Sequence, residues 1–215
     1  MFRPRIIPVL LLKNNGLVKS VKFDNHRYIG DPINAVKIFN DLKADELVFL
    51  DIEAGKQSRS ISLKFVQEVG EEANMPFAAG GGIKTIQQIQ HLISAGAEKA
   101  VICSAAVKTP QFIKQAADEF GSSTIAVCID VKKKFLGGQH VYSNAGTKAS
   151  SFTPIEFAKQ VEQFGAGEII IQSIDMDGCM NGYDIELIHQ VADAVKIPVI
   201  ALGGAGNMSH MLAAY

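Results

Sequence analysis

Neither sign of charge is in excess: 21 Lys and Arg face 22 Asp and Glu, for a formal net charge of −1. With no basic field or basic run, neither nucleic acid nor an anionic membrane surface is an expected partner, and a small ligand is the better default. No apolar run approaches the roughly 20 residues that span a bilayer. The start, Met1-Phe2-Arg3-Pro4-Arg5, leads into a strand-like run without a leader cleavage site, so a cytoplasmic protein is expected. Cysteine is scarce. Cys103, Cys128 and Cys179 are an odd number, far apart in sequence and without a CxxC pair, so neither a disulfide framework nor a zinc site is indicated; no metal and no cofactor are expected. Low-complexity stretches and linkers are missing too, which leaves residues 1–215 as one domain. At 47% hydrophobic and 20% charged, the composition excludes disorder as a main theme.

What is present is alternation. Short β-branched runs lie at 6–12, 46–52, 76–79, 100–103, 124–131, 168–173 and 198–202, each followed by a stretch of helical period, the pattern of a parallel α/β protein. Asp31-Pro32, Thr109-Pro110 and Thr153-Pro154 each place a capping side chain before a proline at the first helical position, and Glu156 completes a capping box with Thr153. After Thr85, Ile86, Ile89, Leu92 and Ile93 share one helix face. Seven strands and six complete helices are expected. The five histidines, at 26, 91, 140, 189 and 210, fall in expected loops or helices, so none is expected to serve as an acid or base at a strand end.

The chain also repeats itself. Ala44-Asp45-Glu46-Leu47-Val48 matches Ala166-Gly167-Glu168-Ile169-Ile170, and Met75-Pro76-Phe77 with Gly81-Gly82 matches Ile197-Pro198-Val199 with Gly203-Gly204. Both matches have one offset, 168 − 46 = 198 − 76 = 122. A weaker match sets Leu11 opposite Asp130. Two halves, about 1–121 and 122–215, of four βα units each predict a (β/α)8 TIM barrel with an internal two-fold repeat. On this offset the chain is expected to end inside the seventh helix, with strand eight and helix eight missing. A Rossmann sheet is the weaker alternative, since no GxGxxG follows the first strand.

Strand alternation then selects candidates, because barrel active sites lie at the carboxyl ends of strands. Ile125, Val127 and Ile129 form an outer row, which turns Ala126, Cys128 and Asp130 inward and sets an acid at the mouth. By the same rule the other strands offer Val9, Leu11, Cys103, Gln172 and Leu202. The glycine clusters Gly80-Gly81-Gly82 and Gly203-Gly204-Ala205-Gly206 each precede a helix start, where bare N–H groups suit phosphate oxygens. Two of them at repeat-related positions suggest a ligand with a phosphate at each end. At the opposite rim Arg5, Glu46, Lys99 and Glu168 point inward, and two cations with two anions there can close the floor of a barrel as an openable plug.

Arg5-Ile6-Ile7-Pro8, Gly30-Asp31-Pro32, Asp45-Glu46-Leu47-Val48-Phe49-Leu50-Asp51-Ile52, Gly80-Gly81-Gly82-Ile83, Ser104-Ala105-Ala106-Val107, Gly165-Ala166-Gly167-Glu168, Asp175-Met176-Asp177-Gly178 and Gly203-Gly204-Ala205-Gly206 together resemble the cyclase subunit of imidazole glycerol phosphate synthase. The resemblance implies a glutaminase partner on the amino-end face and a gate of Arg5, Glu46, Lys99 and Glu168 through which ammonia passes. It also implies a bis-phosphate ribosyl substrate at the other end. It assigns phosphate contacts to Gly82, Ser104, Asp177, Gly178 and Gly204, and matches Lys19, in a loop after strand one, to the lysine of a mobile loop. Of that family's two catalytic aspartates one is matched by Asp130, while the position of the other holds Leu11. Its asparagine after strand four is Cys103, and its threonine on strand six is Gln172.

The run Leu10-Leu11-Leu12-Lys13 with Val18-Lys19-Ser20-Val21-Lys22-Phe23 looks more like a paralogous branch. That branch works beside a glutaminase and a sugar amidotransferase in acetamidino modification of surface-polysaccharide sugars. The expected function is therefore ammonia delivery for sugar amidation, with cyclase activity in histidine biosynthesis as the alternative.

Overall fold

A computed structural model describes residues 4–134 and 137–215. Met1, Phe2 and Arg3, on which the expectation about a leader partly rests, lie outside the described residues. The chain divides into two compact units, one running up to Lys19 and resuming over Arg27–Val101, the other comprising Ser20–His26 and Ile102–Tyr215.

In chain order the elements are β1 (Val9–Lys13), β2 (Gly16–Val21), β3 (Asp24–Gly30), α1 (Pro32–Asp41), β4 (Leu47–Asp51), α2 (Leu63–Glu72), β5 (Phe77–Gly80), α3 (Ile86–Ser94), β6 (Lys99–Ile102), α4 (Ser104–Lys108) and α5 (Gln111–Phe120). They continue with β7 (Ile125–Lys133), β8 (Gln139–Ser143), β9 (Lys148–Ala149), α6 (Pro154–Gln163), β10 (Glu168–Ser173), α7 (Ile185–Ala192), β11 (Val199–Leu202) and α8 (Met208–Ala213). All seven expected strands are present, and they pair in parallel: β1 with β4, β4 with β5 and β5 with β6 in the first unit, β7 with β10 and β10 with β11 in the second. This is an α/β fold consistent with a (β/α)8 barrel.

Two of the parallel strands, β4 and β10, show burial on both faces, while β1 and β11 are mostly half-buried. Leu47, Val48 and Phe49 of β4 and Ile169, Ile170 and Ile171 of β10 are each at most 1% exposed, as strands covered on both sides require. In the first unit Phe49 packs edge-on against Phe65 of α2, ring centroids 5.3 Å apart, and against Phe77 of β5 at 6.2 Å. The helices begin where the sequence says they should at Asp31, whose carboxylate accepts from the Asn34 N–H at 2.9 Å, and at Thr85 and Thr153, which both form capping boxes. Thr109 is a correction. Pro110, not Thr109, occupies the position before α5, in a helical conformation and without a side-chain cap.

The additional elements come from hairpins. β2 pairs antiparallel with β1, β8 with β7, and β9 with β8. These strands place His26 in β3 and His140 in β8, correcting the expectation that every histidine lies in a loop or helix. Lys19, expected in a loop, is an exposed residue of β2. The short α4 raises the described helices to eight. No helix among the described residues is long and apolar enough to cross a membrane.

Candidate functional site

Three of the four rim charges meet within the first unit. Glu46, immediately before β4, is only 3% exposed. Its Oε2 accepts from Arg5 Nη1 at 2.7 Å, while Lys99 Nζ, from the first residue of β6, donates to Oε1 at 2.9 Å and Oε2 at 3.1 Å. Both carboxylate oxygens are thus matched by cations, which is what a buried charge requires. Glu168 opens β10 in the second unit and is half-buried.

The carboxyl end of β7 carries the second cluster. Cys128 and Asp130 are two residues apart on one strand and so share a face, and both are buried. Cys103 ends its β6 connection one residue after the strand, in the position preceding α4, rather than within the strand as expected. Its Sγ donates to Asp130 Oδ2 at 3.3 Å, and Cys128 Sγ donates to Oδ1 at 3.6 Å. Gln172 of β10 is in register with Asp130, and its Oε1 lies 3.9 Å from Cys128 Sγ. Although 25 residues separate the two cysteines in sequence, Cys103, Cys128 and Asp130 bring their donor atoms within 4.8 Å of one another, a grouping that their spacing did not announce. Burial pushes the Asp130 carboxyl up from its ordinary 3.8 to about 6, against the two thiol hydrogen bonds that favour its charged form; the negative charge of Asp177 adds to the rise. The Cys128 hydrogen bond, burial and the neighbouring carboxylate raise the Cys103 thiol; at Cys128 the hydrogen bond with Cys103 pulls the other way, but burial and Asp130 together leave that thiol raised as well.

Gly82 and Gly204 lie where a side chain does not fit. Each has positive φ, and a Cβ on Gly82 would lie 1.9 Å from the Arg59 carbonyl oxygen, one on Gly204 2.0 Å from that of Gly182. The loops after β5 and β11 are thus pinned to a neighbouring backbone in their own units. The Arg59 segment is itself held by an ion pair with Asp51 at the end of β4, which also accepts from the Glu53 and Ala54 N–H groups at 3.0 Å. Sequence reading did not single out this pair.

The Asp177 side chain is committed inside the second unit: Oδ2 accepts from Ser20 Oγ at 2.7 Å and the Phe23 N–H at 3.0 Å, and its carbonyl accepts from the Lys22 N–H at 2.9 Å. Gly178 beside it, with φ of +67°, faces the Ser20 carbonyl. Ser104 is the first residue of α4, and its hydroxyl oxygen accepts from the Asn144 N–H at 2.9 Å. Leu11, on β1, is flanked by Leu50 of β4 and Val18 of β2. Nothing at that position can carry a proton.

Residues 5–215 match the family described as "Histidine biosynthesis protein". The chain is 45% identical over 212 residues to the "Putative imidazole glycerol phosphate synthase subunit HisF" of Leptospira borgpetersenii, covering 98% of this chain and 84% of that protein. It is 44% identical over 212 residues to the "Putative imidazole glycerol phosphate synthase subunit hisF2" of Pseudomonas aeruginosa, covering 99% and 84%. With the "Imidazole glycerol phosphate synthase subunit HisF" of a Hydrogenobaculum species it shares 45% over 215 residues, covering 100% and 85%.

Proposed function

The chain belongs to the histidine biosynthesis protein family, and from that premise we propose that it is an ammonia-using synthase subunit of the HisF kind, supplied by a glutaminase partner. The observation that carries this reading is the buried Glu46 with a cation on each side. A buried carboxylate already matched by cations gives ammonium nothing to offset the cost of shedding its water, whereas neutral ammonia bears no such charge penalty. Arg5, Glu46, Lys99 and Glu168 are the gate in this reading, a phosphorylated ribosyl compound is the substrate, and Gly82, Ser104, Asp177, Gly178 and Gly204 hold its phosphates. Lys19, exposed on β2, is a further contact for that ligand.

Asp130 is the residue that moves protons. A carboxyl held near 6 is protonated or ionised with comparable ease near neutrality, which suits a group that both donates and accepts. It acts without the second acid that the resembled cyclases have, because Leu11 stands there. The reaction in this reading is the addition of ammonia to the phosphoribulosyl-formimino substrate, cleavage of its C–N bond with release of the aminoimidazole carboxamide ribotide, and closure to imidazole glycerol phosphate with loss of water, with Asp130 as the acid or base.

Leu11 also favours a second reading, in which the ammonia goes on to a sugar amidotransferase for surface-polysaccharide synthesis and cyclisation is vestigial. One experiment separates the two. The protein is given free ammonia and the phosphoribulosyl-formimino substrate, beside a Leu11→Asp variant. Steady formation of imidazole glycerol phosphate by the unaltered chain supports the synthase. Turnover by the unaltered chain about 10²- to 10⁴-fold below that of Leu11→Asp, the usual worth of a positioned acid or base, supports the second reading. If neither protein turns over and no glutaminase binds, both fail.

A further inference from the structure

We propose that Cys103, Cys128 and Asp130 form a binding site for a thiophilic divalent cation of the zinc class. All three side chains belong to the second unit, and the metal and the proton transfer proposed above compete for the same Asp130 carboxylate.

Zinc bonds of about 2.3 Å to sulfur and 2.0–2.2 Å to oxygen, at tetrahedral angles, place an S and an O donor about 3.6 Å apart. The two sulfur-to-carboxylate distances here are 3.3 and 3.6 Å, and one donor atom from each of the three residues falls within a 4.8 Å span. The two sulfurs lie against different oxygens of the one carboxylate, Cys103 against Oδ2 and Cys128 against Oδ1, so the three side chains are within the reach of a single ion after small side-chain adjustments. The fourth corner has a candidate as well: the Gln172 oxygen, 3.9 Å from the Cys128 sulfur, can ligate directly or hold a water in that place.

The donor set selects the metal. Two sulfurs with one carboxylate favour zinc, or cobalt as its spectroscopic substitute, over magnesium or calcium, which take oxygen shells. The site is also rigid and accessible. Cys128, Asp130 and Gln172 stand on paired strands and are buried, while Cys103, beyond the strand end, is partly exposed and offers the entry path. The binding step balances as one Zn²⁺ taken up and two thiol protons released, leaving two thiolates and the carboxylate on the metal. Loading turns Asp130 from a proton carrier into a ligand.

The full chain, reduced with a phosphine and stripped by a chelator, is titrated with Zn²⁺ alone and with Co²⁺ alone. One equivalent of metal per chain is expected, with about two protons released per zinc, and Co²⁺ should show thiolate charge-transfer and tetrahedral ligand-field bands. Cys103→Ser and Cys128→Ser should each weaken binding by more than the roughly 10- to 100-fold that losing an outer-shell partner costs. Cys179→Ser should bind as the parent does. Because a cysteine variant can misfold, the unaltered zinc-loaded chain is also measured by X-ray absorption at the zinc edge, where two sulfur neighbours are expected. Zinc uptake well below one equivalent, a first shell without sulfur, or loss of binding in Cys179→Ser would each overturn the proposal.

Discussion

Asp130 is held between opposing influences, and the balance has a sign. Its folded carboxyl titrates near 6 and its ordinary value is 3.8, so the native state holds the proton more tightly than the unfolded chain does. Between those two values the stability it contributes falls as pH rises, and above the folded value the whole penalty stands. At about 1.36 kcal/mol per pKa unit the difference comes to about 3 kcal/mol. In chelator-treated protein, Asp130→Asn should therefore be the more stable form above about pH 6, by up to about 3 kcal/mol, and the gap should close as the pH falls towards about 4. Urea unfolding midpoints of both proteins across that range check it; a gap that widens in acid would refute the assignment. Asp130 itself was legible from strand alternation alone. The same alternation turned Cys128 inward beside it and offered Cys103, but the two thiol hydrogen bonds were not legible, because Cys103 and Cys128 are 25 residues apart in sequence and meet at one carboxylate only in the fold.

At the scale of elements, two threonine–proline pairs that look alike in sequence behave differently. Thr153 accepts from the Glu156 N–H at 3.3 Å and sits in a complete capping box, whereas Thr109 caps nothing by its side chain. Thr153→Ala should cost about 1 kcal/mol and Thr109→Ala close to nothing, measured by chemical denaturation. Phe49→Ala, which empties the space between Phe65 and Phe77, should cost about 3–5 kcal/mol in the same measurement. The parallel strands were readable because strands buried on both faces are continuous apolar runs. The hairpins were harder to read because of their turns. Asn14 and Asn15, between β1 and β2, have φ of 49° and 61°, a two-residue turn of a kind asparagine tolerates. The turn after β2 uses Lys22 and Phe23 at 53° and 64°, residues that do not announce a left-handed backbone.

At the scale of the molecule, the 122-residue offset recurs as structure: Glu46 precedes β4 as Glu168 opens β10, and Gly82 follows β5 as Gly204 follows β11. Glu46 supplies the sharpest test of the proposed ammonia path. Glu46→Gln leaves Arg5 and Lys99 facing a neutral amide, which should cost at most about 3–5 kcal/mol of stability. It should also lower turnover with glutamine and a glutaminase relative to turnover with free ammonia. Steady-state rates with the two nitrogen sources measure that ratio, and an unchanged ratio in a folded variant would remove Glu46 from the path.

The turn at Lys22 and Phe23 is held by Asp177 through three hydrogen bonds, and Phe23 lies where a side chain on Gly146 would collide with it, its ring carbon 2.9 Å from that Cβ. The constraints are of two kinds: a side chain at 146 evicts the ring, while the carboxylate of Asp177 holds Ser20 by its hydroxyl and Phe23 by its backbone alone. In evolutionary terms Gly146 is expected to change only in sequences that have already lost the Phe23 ring, whereas Ser20 and Asp177 are expected to be kept or replaced together.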